Sequence, residues 1–368
     1  MPIFWPLMPK FGEDMTNALA LSSINSYFCV MRFILLLAMT AAIAAQSCTP
    51  HNSTIPEESG KMDIERYDLE VTAYPGLDSA ARADFRQKYT SVNDIVIRLY
   101  AASHGKTNPP ATDSMLMEYA RSRGVGMFGC AIRDRLGSLD SVETVLGKAA
   151  EQSKKIIPEL KWPQLYGVIS TYDQAIILSG DTLALIGTNH YLGADDEAYT
   201  GFDAYKRRNK CLEALPWQLT EAMLLSQAPY TLSRADATAL SRMIYSGGVE
   251  WIVARLTDTD DFGKLLGWDD AQSKWAVENE GNAWNALISR KMLYSTDEPT
   301  AERLTQNAPA TAILHPDAPG RMGTWLGMRI VDAYMKSHPD MKAWQLLQKD
   351  FYGDVKTLVE SGYNPLRK

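Results

Sequence analysis

An apolar run near the amino terminus decides which part of this chain can form a globular domain. Residues 33–45 read FILLLAMTAAIAA, and Met31 and Arg32 stand directly before them. These 13 residues are too few for a membrane-spanning helix, which needs about 20. A short apolar run behind one basic residue, followed by small residues and then Cys48, is typical of a lipoprotein signal peptide. The sequence therefore predicts cleavage before Cys48 and attachment of a diacylglyceryl anchor to its thiol.

The residues around this signal predict how the chain is divided. Gln46 is bulkier than the usual residue at its position, so plain secretion without a lipid is the alternative. Residues 1–30 have no matching role, which indicates that translation starts at Met31. The segment after Cys48 is polar and contains Pro and Ser, as a flexible tether does. The predicted division is an upstream extension with signal peptide over residues 1–47, a polar tether over 48–61 and a single globular domain over 62–368.

The charges and the cysteines exclude several classes of protein. Lys and Arg number 37 against 44 Asp and Glu, which gives a net charge of −7. Nucleic-acid binding requires clustered positive charge and this chain has no basic run, so we expect no nucleic-acid partner. The 4 cysteines include no CxxC pair, which argues against a thiolate zinc site and a disulfide scaffold. Cys130 and Cys211 are either a disulfide or two thiols.

The spacing of apolar residues predicts an α+β fold dominated by helices. Residues 62–73 alternate apolar and polar side chains, as a strand does. Three β-rich segments joined by turn signals, residues 165–170, 174–178 and 182–187, predict a small antiparallel sheet with flanking helices. A break is expected at Gly247-Gly248. Helical spacing predicts helices over residues 80–99, 112–136, 141–157, 217–228, 235–245, 249–255, 269–293, 325–337 and 340–347.

No complete catalytic motif is present in the sequence. The histidines include no pair one helical turn apart, so the HExxH signature of zinc peptidases is missing. The GxSxG, P-loop and GxGxxG motifs are missing as well, so we predict no catalytic residue, no metal and no cofactor. Two acidic segments, Gly193–Glu197 and Asp258–Asp261, lack the spacing of a calcium loop and are interpreted as solvated turns.

Two charged residues in the C-terminal third have two interpretations each. Glu280 shares a predicted helix with Trp275 and Trp284. It is either the partner of an arginine beside core tryptophans or a buried carboxylate of a remnant site. Arg321 lies in the segment PGRMG, before a predicted helix. That segment is either an anion-binding turn or a tight loop whose arginine holds a carboxylate.

The order of aromatic residues and glycines resembles one known family. The pattern consists of Tyr191-Leu192-Gly193, Tyr199, Trp275, Asn279-Glu280, Trp284, residues 293–297 (LYSTD), Ala308-Pro309, residues 319–323 (PGRMG), Trp325, Gly327, Ile330-Val331, Tyr334-Met335, Ser361, Tyr363 and Pro365. It resembles the GldB family of gliding-motility lipoproteins of Bacteroidetes, and the resemblance covers residues 62–368. Ala310-Thr311-Ala312 departs from the family pattern, which is more aromatic and polar at that loop.

This resemblance carries expectations about location and partners. It implies a lipid-anchored protein of the cell envelope, associated with the gliding apparatus and its linked secretion system. Together with the missing catalytic motifs, it favours a non-enzymatic role through contacts with other envelope proteins. In such bacteria an acidic stretch after the acylated cysteine directs lipoproteins to the cell surface, and Thr49–Asn52 contains no acid. We therefore expect the periplasmic face of the outer membrane.

The order of short strands, a loop and two helices is also similar to zincin metallopeptidases. In that register the HExxH positions correspond to Thr220, Glu221 and Leu224, so both histidine ligands are missing. The resemblance implies a degenerate zincin-like fold whose candidate remnant site is Glu221, Glu280 and Arg321. The alternative function is accordingly a metallopeptidase-like enzyme or a peptide-binding pseudoenzyme.

Overall fold

The computed structural model describes residues 60–107 and 109–366. The predicted signal peptide, Cys48 and the tether up to residue 59 lie outside the described residues. Within the described part, the prediction of a helix-dominated α+β fold is confirmed. Its strands are β1 (Ile64–Glu65), β2 (Gln164–Val168), β3 (Ile176–Ser179) and β4 (Leu183–Gly187).

These strands form a mixed sheet in the order β1-β2-β4-β3. Both β1 and β4 run parallel to β2, and β3 runs antiparallel to β4. The prediction of an antiparallel sheet is therefore correct for the β3–β4 hairpin, which turns through Gly180 at φ +62°, and wrong for the other pairings. A long connection of helices between β1 and β2 returns the chain to the same end of the sheet, which makes parallel pairing possible.

The predicted strand over residues 62–73 is mostly a helix. β1 contains two residues, and α1 (Tyr67–Ala73) follows almost at once. Tyr67, Val71 and Tyr74 are fully buried, and their spacing of four and three residues places them on one helical face. The strand prediction is wrong because the apolar residues of so short a segment fit both the period of a strand and that of a helix.

A layer of helices connects β1 and β2. Its members are α2 (Ser79–Lys88), α3 (Thr90–Ser103), α4 (Asp113–Ala120), α5 (Arg123–Arg135) and α6 (Asp140–Ile156). The predicted helices 80–99 and 112–136 are each divided in two. The second division comes from Ser122, whose hydroxyl accepts a hydrogen bond from Val125 N at 3.4 Å and starts a new helix.

The first described residues are held against α6. The ammonium group of Lys61 pairs with the carboxylate of Asp140, and Met62 N donates to Glu143 O at 2.9 Å. Ile64 N donates to Glu143 Oε1 at 3.0 Å. A Cβ on Gly147 would lie 2.2 Å from the carbonyl oxygen of Gly60, so the chain start lies directly on the backbone of α6. β1 is therefore fixed both by the sheet and by this helix.

The second half of the chain is helical. Its helices are α7 (Ala204–Arg207), α8 (Leu215–Gln227), α9 (Ala239–Leu256), α10 (Phe262–Leu265), α11 (Asp270–Glu278), α12 (Glu280–Ser289), α13 (Glu298–Thr305), α14 (Met322–Ser337), α15 (Lys349–Tyr352) and α16 (Lys356–Glu360). The predicted helix 269–293 is interrupted at Asn279. Within the predicted helix 340–347, Ala343–Leu347 form a 3-10 helix instead.

Helix α9 passes without a break through Gly247-Gly248, where the sequence predicts an interruption. A Cβ on Gly247 would lie 2.2 Å from the carbonyl carbon of Gly327, and a Cβ on Gly327 would lie 1.8 Å from the carbonyl oxygen of Met243. The predicted break is wrong because these glycines allow the backbones of α9 and α14 to come into contact. The close packing of α9 against α14 therefore outweighs the low helix propensity of these glycines.

Helix α9 lies inside the hydrophobic core. Apart from Arg242, Ser246 and Arg255, all its residues are buried, and its apolar side chains belong to a core that extends from Ile64 to Tyr352. A polar group at an inward position of this helix must find its partner inside the protein. In residues 60–107 and 109–366, no helix combines the length and the apolar character needed to cross a bilayer.

We expect Gly327→Ala to lower the free energy of unfolding by about 1–3 kcal/mol, because its methyl group would overlap the backbone of α9. The matched control is Gly126→Ala in α5, where a Cβ meets no neighbour within 4 Å. That control should be neutral or stabilising by up to about 1 kcal/mol. Urea denaturation followed by circular dichroism measures both changes. Equal stability of Gly327→Ala and wild type would contradict the described helix contact.

Candidate functional site

The structure brings two of the three candidate residues together. Glu221 lies on α8, and Arg321 immediately precedes α14. Arg321 Nη2 donates a hydrogen bond to Glu221 Oε1 at 3.0 Å. This contact corresponds to the interpretation of the PGRMG segment as a tight loop whose arginine holds a carboxylate.

A third residue, Glu250, completes this cluster and was missed in the sequence. Its carboxylate also accepts from Arg321 Nη2. Glu250 belongs to the buried part of α9, in the apolar segment Val249–Leu256. A single acid within an apolar helical stretch was the signal available in the sequence. The expected break at Gly247-Gly248 hid it, because it placed Glu250 in the first turn of a separate short helix.

The turn before α14 is built to hold Arg321 in place. Thr311 Oγ1 donates to Pro319 O at 2.7 Å and accepts from Met322 N at 3.1 Å. Trp268 Nε1 donates to Gly320 O at 2.7 Å. Arg321 itself has φ +62°, a left-handed conformation that is unfavourable for a residue with a side chain. The surrounding hydrogen bonds stabilise this conformation and fix where the guanidinium group lies.

The cluster of Glu221, Glu250 and Arg321 lines a cavity of about 410 Å³. Asn209, Trp217, Gln218 and Asn307 are among the other residues that line this cavity. The side chain of Glu250 is 2% exposed, whereas that of Glu221 is 29% exposed. Glu250 therefore lies at the inner end of the cavity and Glu221 nearer to solvent.

Burial and neighbouring charge determine the protonation of this cluster. Burial, reinforced by the carboxylate of Glu221, raises the pKa of Glu250 to about 8, against the opposing effect of Arg321. Burial disfavours the charge on Arg321, but the two carboxylates outweigh it and raise the pKa of the guanidinium group. Burial and the charge of Glu221 therefore favour the protonated form of Glu250, while Arg321 remains a cation.

Glu280 belongs to a different cluster. Arg329 Nε and the hydroxyl group of Tyr363 both donate to Glu280 Oε1, at 3.0 and 2.9 Å. The ring of Trp284 packs edge-on against that of Tyr363, with ring centroids 5.2 Å apart. Burial and the carboxylate of Glu280 raise the pKa of Tyr363. This geometry corresponds to the interpretation of Glu280 as the partner of an arginine beside buried tryptophans, and it separates Glu280 from Glu221.

The positions that the zincin register assigns to histidines are occupied by core residues. Thr220 is fully buried and its hydroxyl group donates to Pro216 O at 2.8 Å, while Leu224 packs in the core. Between residues 60 and 366, Asn108 excepted, no three Asp, Glu, His or Cys side chains converge as metal ligands do. The chemistry that this arrangement offers is therefore charge pairing and proton exchange at Glu221, Glu250 and Arg321.

The remaining candidate residues have structural contacts. Asp196, in the segment interpreted as a solvated turn, is buried and pairs with Arg135, so that interpretation is wrong for this residue. Its Oδ1 also accepts from Ala198 N at 2.8 Å, as the cap of a short 3-10 helix. Cys211 is a free thiol and Cys130 is disulfide-bonded, so these two cysteines do not pair with each other and are not two free thiols.

The raised pKa of Glu250 predicts how stability depends on pH. Between its ordinary value near 4.5 and about 8, the folded protein holds a proton that the unfolded chain has lost. The contribution of this site to the free energy of unfolding should therefore fall as pH rises, by up to about 1.4 kcal/mol per pH unit. Glu250→Gln, which cannot ionise, should remove that fall.

Urea denaturation at pH 5, 6, 7 and 8 measures this effect as the difference between wild type and variant. Glu280→Gln is the matched control, since it changes a buried carboxylate that pairs with another arginine and leaves Glu250 in place. In the Glu280→Gln control, the free energy of unfolding should still show the fall with rising pH that is attributed to Glu250. Parallel pH profiles for wild type and Glu250→Gln would contradict the assignment.

Comparison with known proteins assigns this chain to a family. No curated protein and no solved structure matches the chain. The family described as gliding motility protein GldB matches residues 48–365, a segment that includes the sheet, all the helices described above and the cavity. A match over most of the sequence shows membership, and the resemblance found in the aromatic and glycine pattern is thereby confirmed. The chain belongs to the GldB family of gliding motility proteins.

Proposed function

We propose that this protein is a lipid-anchored component of the cell envelope that serves the gliding-motility apparatus and its linked secretion system. In this proposal it acts through contacts with other envelope proteins and catalyses no reaction. The observation that carries the proposal is the family match, which begins at Cys48 and continues to residue 365. Cys48 is also the residue at which the sequence predicts acylation, and this coincidence supports the proposed anchor.

The proposed anchor fits the way the described chain begins. Cys48 precedes Gly60 by 12 residues in the sequence, which at full extension span at most about 40 Å. Lys61 and Met62 then contact α6 directly. Acyl chains bound to Cys48 would bury about 0.8 kcal/mol per methylene group in the bilayer. The domain would therefore be held close to the membrane surface by a short tether.

The cavity chemistry supports the non-enzymatic part of the proposal. A zinc peptidase needs imidazole or carboxylate ligands that converge on the metal. Glu221 and Glu250 are instead both engaged by the guanidinium group of Arg321, and within residues 60–107 and 109–366 no third ligand converges with them. Thr220 and Leu224 are committed to the core. These contacts favour a role in binding over hydrolysis at this position.

The same cavity favours one second candidate function, a peptide-binding pseudoenzyme. The cavity is large enough for a side chain, and Trp217 and Gln218 line it beside Glu221 on α8. The zincin resemblance that suggested this alternative stays a prediction.

We place the protein on the periplasmic face of the outer membrane, because no acidic residue follows Cys48 within Thr49–Asn52. Protease added to intact cells should then leave it uncleaved, while the same protease should degrade it once the outer membrane is permeabilised. A periplasmic protein probed in the same samples is the control. Cleavage in intact cells would show surface exposure and contradict this location.

The anchor proposal predicts that Cys48→Ala abolishes function in a deletion strain by removing the acylation site. The variant should be lost from the membrane fraction, and colony spreading and protein secretion should both fall to the level of the deletion strain. Cys211→Ala is the matched control, because Cys211 is a half-buried free thiol far along the chain from the signal. It should fractionate and complement as wild type does. Full complementation by an unanchored Cys48→Ala protein at matched abundance would refute the anchor.

A further inference from the structure

The cavity between α8, α9 and α14 contains two acidic side chains and only one cationic side chain among its lining residues. Its charged lining residues are Glu221, Glu250 and Arg321, and the other lining residues are neutral. Both carboxylates bond the same nitrogen, Nη2 of Arg321. Among the residues that the structure describes, Arg321 is the cation that pairs with either of them. Two acids therefore share one guanidinium group.

Other buried acids of this protein are not in this position. Asp68 pairs with Arg66 at 2.9 Å, and Asp332 lies 2.7 Å from the ammonium group of Lys336. Each of these acids has a cation that it does not share with a second carboxylate. The deficit at Glu221 and Glu250 is therefore a local property of the cavity and not a general property of the core.

A proton on Glu250 makes up the missing positive charge in this cavity. Glu250 is nearly inaccessible to water, so solvent cannot stabilise a second negative charge there. Burial and the charge of Glu221 hold the proton on Glu250. A ligand that brings its own positive charge to Glu221 would replace this proton, and Glu250 would ionise as the ligand enters.

The residues that line the cavity, and its volume, favour one kind of cationic ligand. Trp217 and Gln218 lie one turn before Glu221 on α8, so all three share one face of that helix. An indole ring beside a carboxylate suits an ammonium group, which is compact and carries three donors. A divalent metal would require further carboxylate or imidazole ligands, and in residues 60–107 and 109–366 no such group of three exists. A volume of about 410 Å³ holds an alkyl side chain and its ammonium group.

We propose that this cavity binds the protonated primary amine of a partner polypeptide, with Glu221 and Glu250 as counter-charges, and releases one proton to solvent on binding. The amine is either a lysine side chain or an amino terminus, since both present the same ammonium chemistry. The proposal rests on the proposed role in protein contacts, to which it adds the chemistry that the partner presents.

Isothermal titration calorimetry of the full-length acylated protein in a neutral detergent tests this proposal at pH 7. Nα-acetyl-lysine amide probes for a side-chain amine, and alanyl-alanine amide probes for an amino terminus. Nα-acetyl-norleucine amide has the same four side-chain carbons as the lysine probe but no ammonium group, and butyrate tests for anion binding. Measurements in phosphate and in HEPES, which contain no primary amine and differ in ionisation enthalpy, give the number of protons released.

At least one amine should bind tenfold or more tightly than the norleucine probe and release up to one proton. The tighter of the two amines identifies the source of the ligand. Glu250→Gln should remove the proton release and weaken amine binding at least tenfold. Glu221→Gln should also weaken amine binding at least tenfold, and it serves as the second variant if Glu250→Gln does not fold. Glu280→Gln, a buried acid outside the cavity, should bind as wild type does.

Three results would overturn the proposal: binding of neither amine above the norleucine probe, preferred binding of butyrate, or amine binding that both glutamine variants leave unchanged. Calorimetry on the purified protein is independent of cell motility. A deletion strain that spreads and secretes normally would therefore refute the proposed function without touching the amine site. If the wild-type protein binds neither amine but restores spreading and secretion to the deletion strain, the amine site is refuted and the proposed function is not.

Discussion

The centre of this structure depends on the hydrogen bonds that the guanidinium group of Arg321 makes with two carboxyl groups. Arg321 stands at the start of α14 and bonds carboxylates on α8 and α9, so a single side chain connects three helices. Helix α9 is buried on nearly every side, and its Glu250 could not remain there without such a partner. The left-handed conformation of Arg321 and the hydrogen bonds of Thr311 and Trp268 follow from the same need.

Close contact between α9 and α14 makes this arrangement possible. Gly247 and Gly327 lie backbone to backbone, which brings the first turn of α14 near the inner part of α9. The two helices also share a polar contact further along, where Trp251 Nε1 donates to Asp332 Oδ1 at 3.2 Å. The packing of small residues and the pairing of buried charges thus reinforce one another along a single interface.

The sequence predicted the parts of the fold that local patterns determine, and it failed where distant residues decide. Helical spacing located most helices to within a few residues, and the Ser-Gly-Asp turn predicted the β3–β4 hairpin. The break at Gly247-Gly248 was expected because the partner of Gly247, Gly327, lies far along the chain. The parallel pairings of β2 depend on how the helical layer returns the chain, which no local pattern records.

The candidate site shows the same division between local and distant information. Arg321 was recognised because Gly and Pro surround it in PGRMG, and Glu221 because a family register pointed to it. The sequence does not reveal Glu250 as a site residue because its arginine is 71 residues away and because the expected break at Gly247-Gly248 hides the buried helix that carries it. Glu280 was grouped with Glu221 although it pairs with Arg329 and Tyr363 in another part of the core. Pairing of buried charges is a three-dimensional property, and residue type alone does not reveal it.

The first described residues and the charged cavity lie in different parts of the fold. In the proposed anchored form, tension along the backbone of the tether would act on Lys61 and Met62, which contact α6. β1 follows with two residues paired to β2. The cavity belongs to α8, α9 and α14, deep in the second half of the chain. Tension along this backbone would therefore act on the edge strand of the sheet and the start of α6, whose residues are not among those that line the cavity.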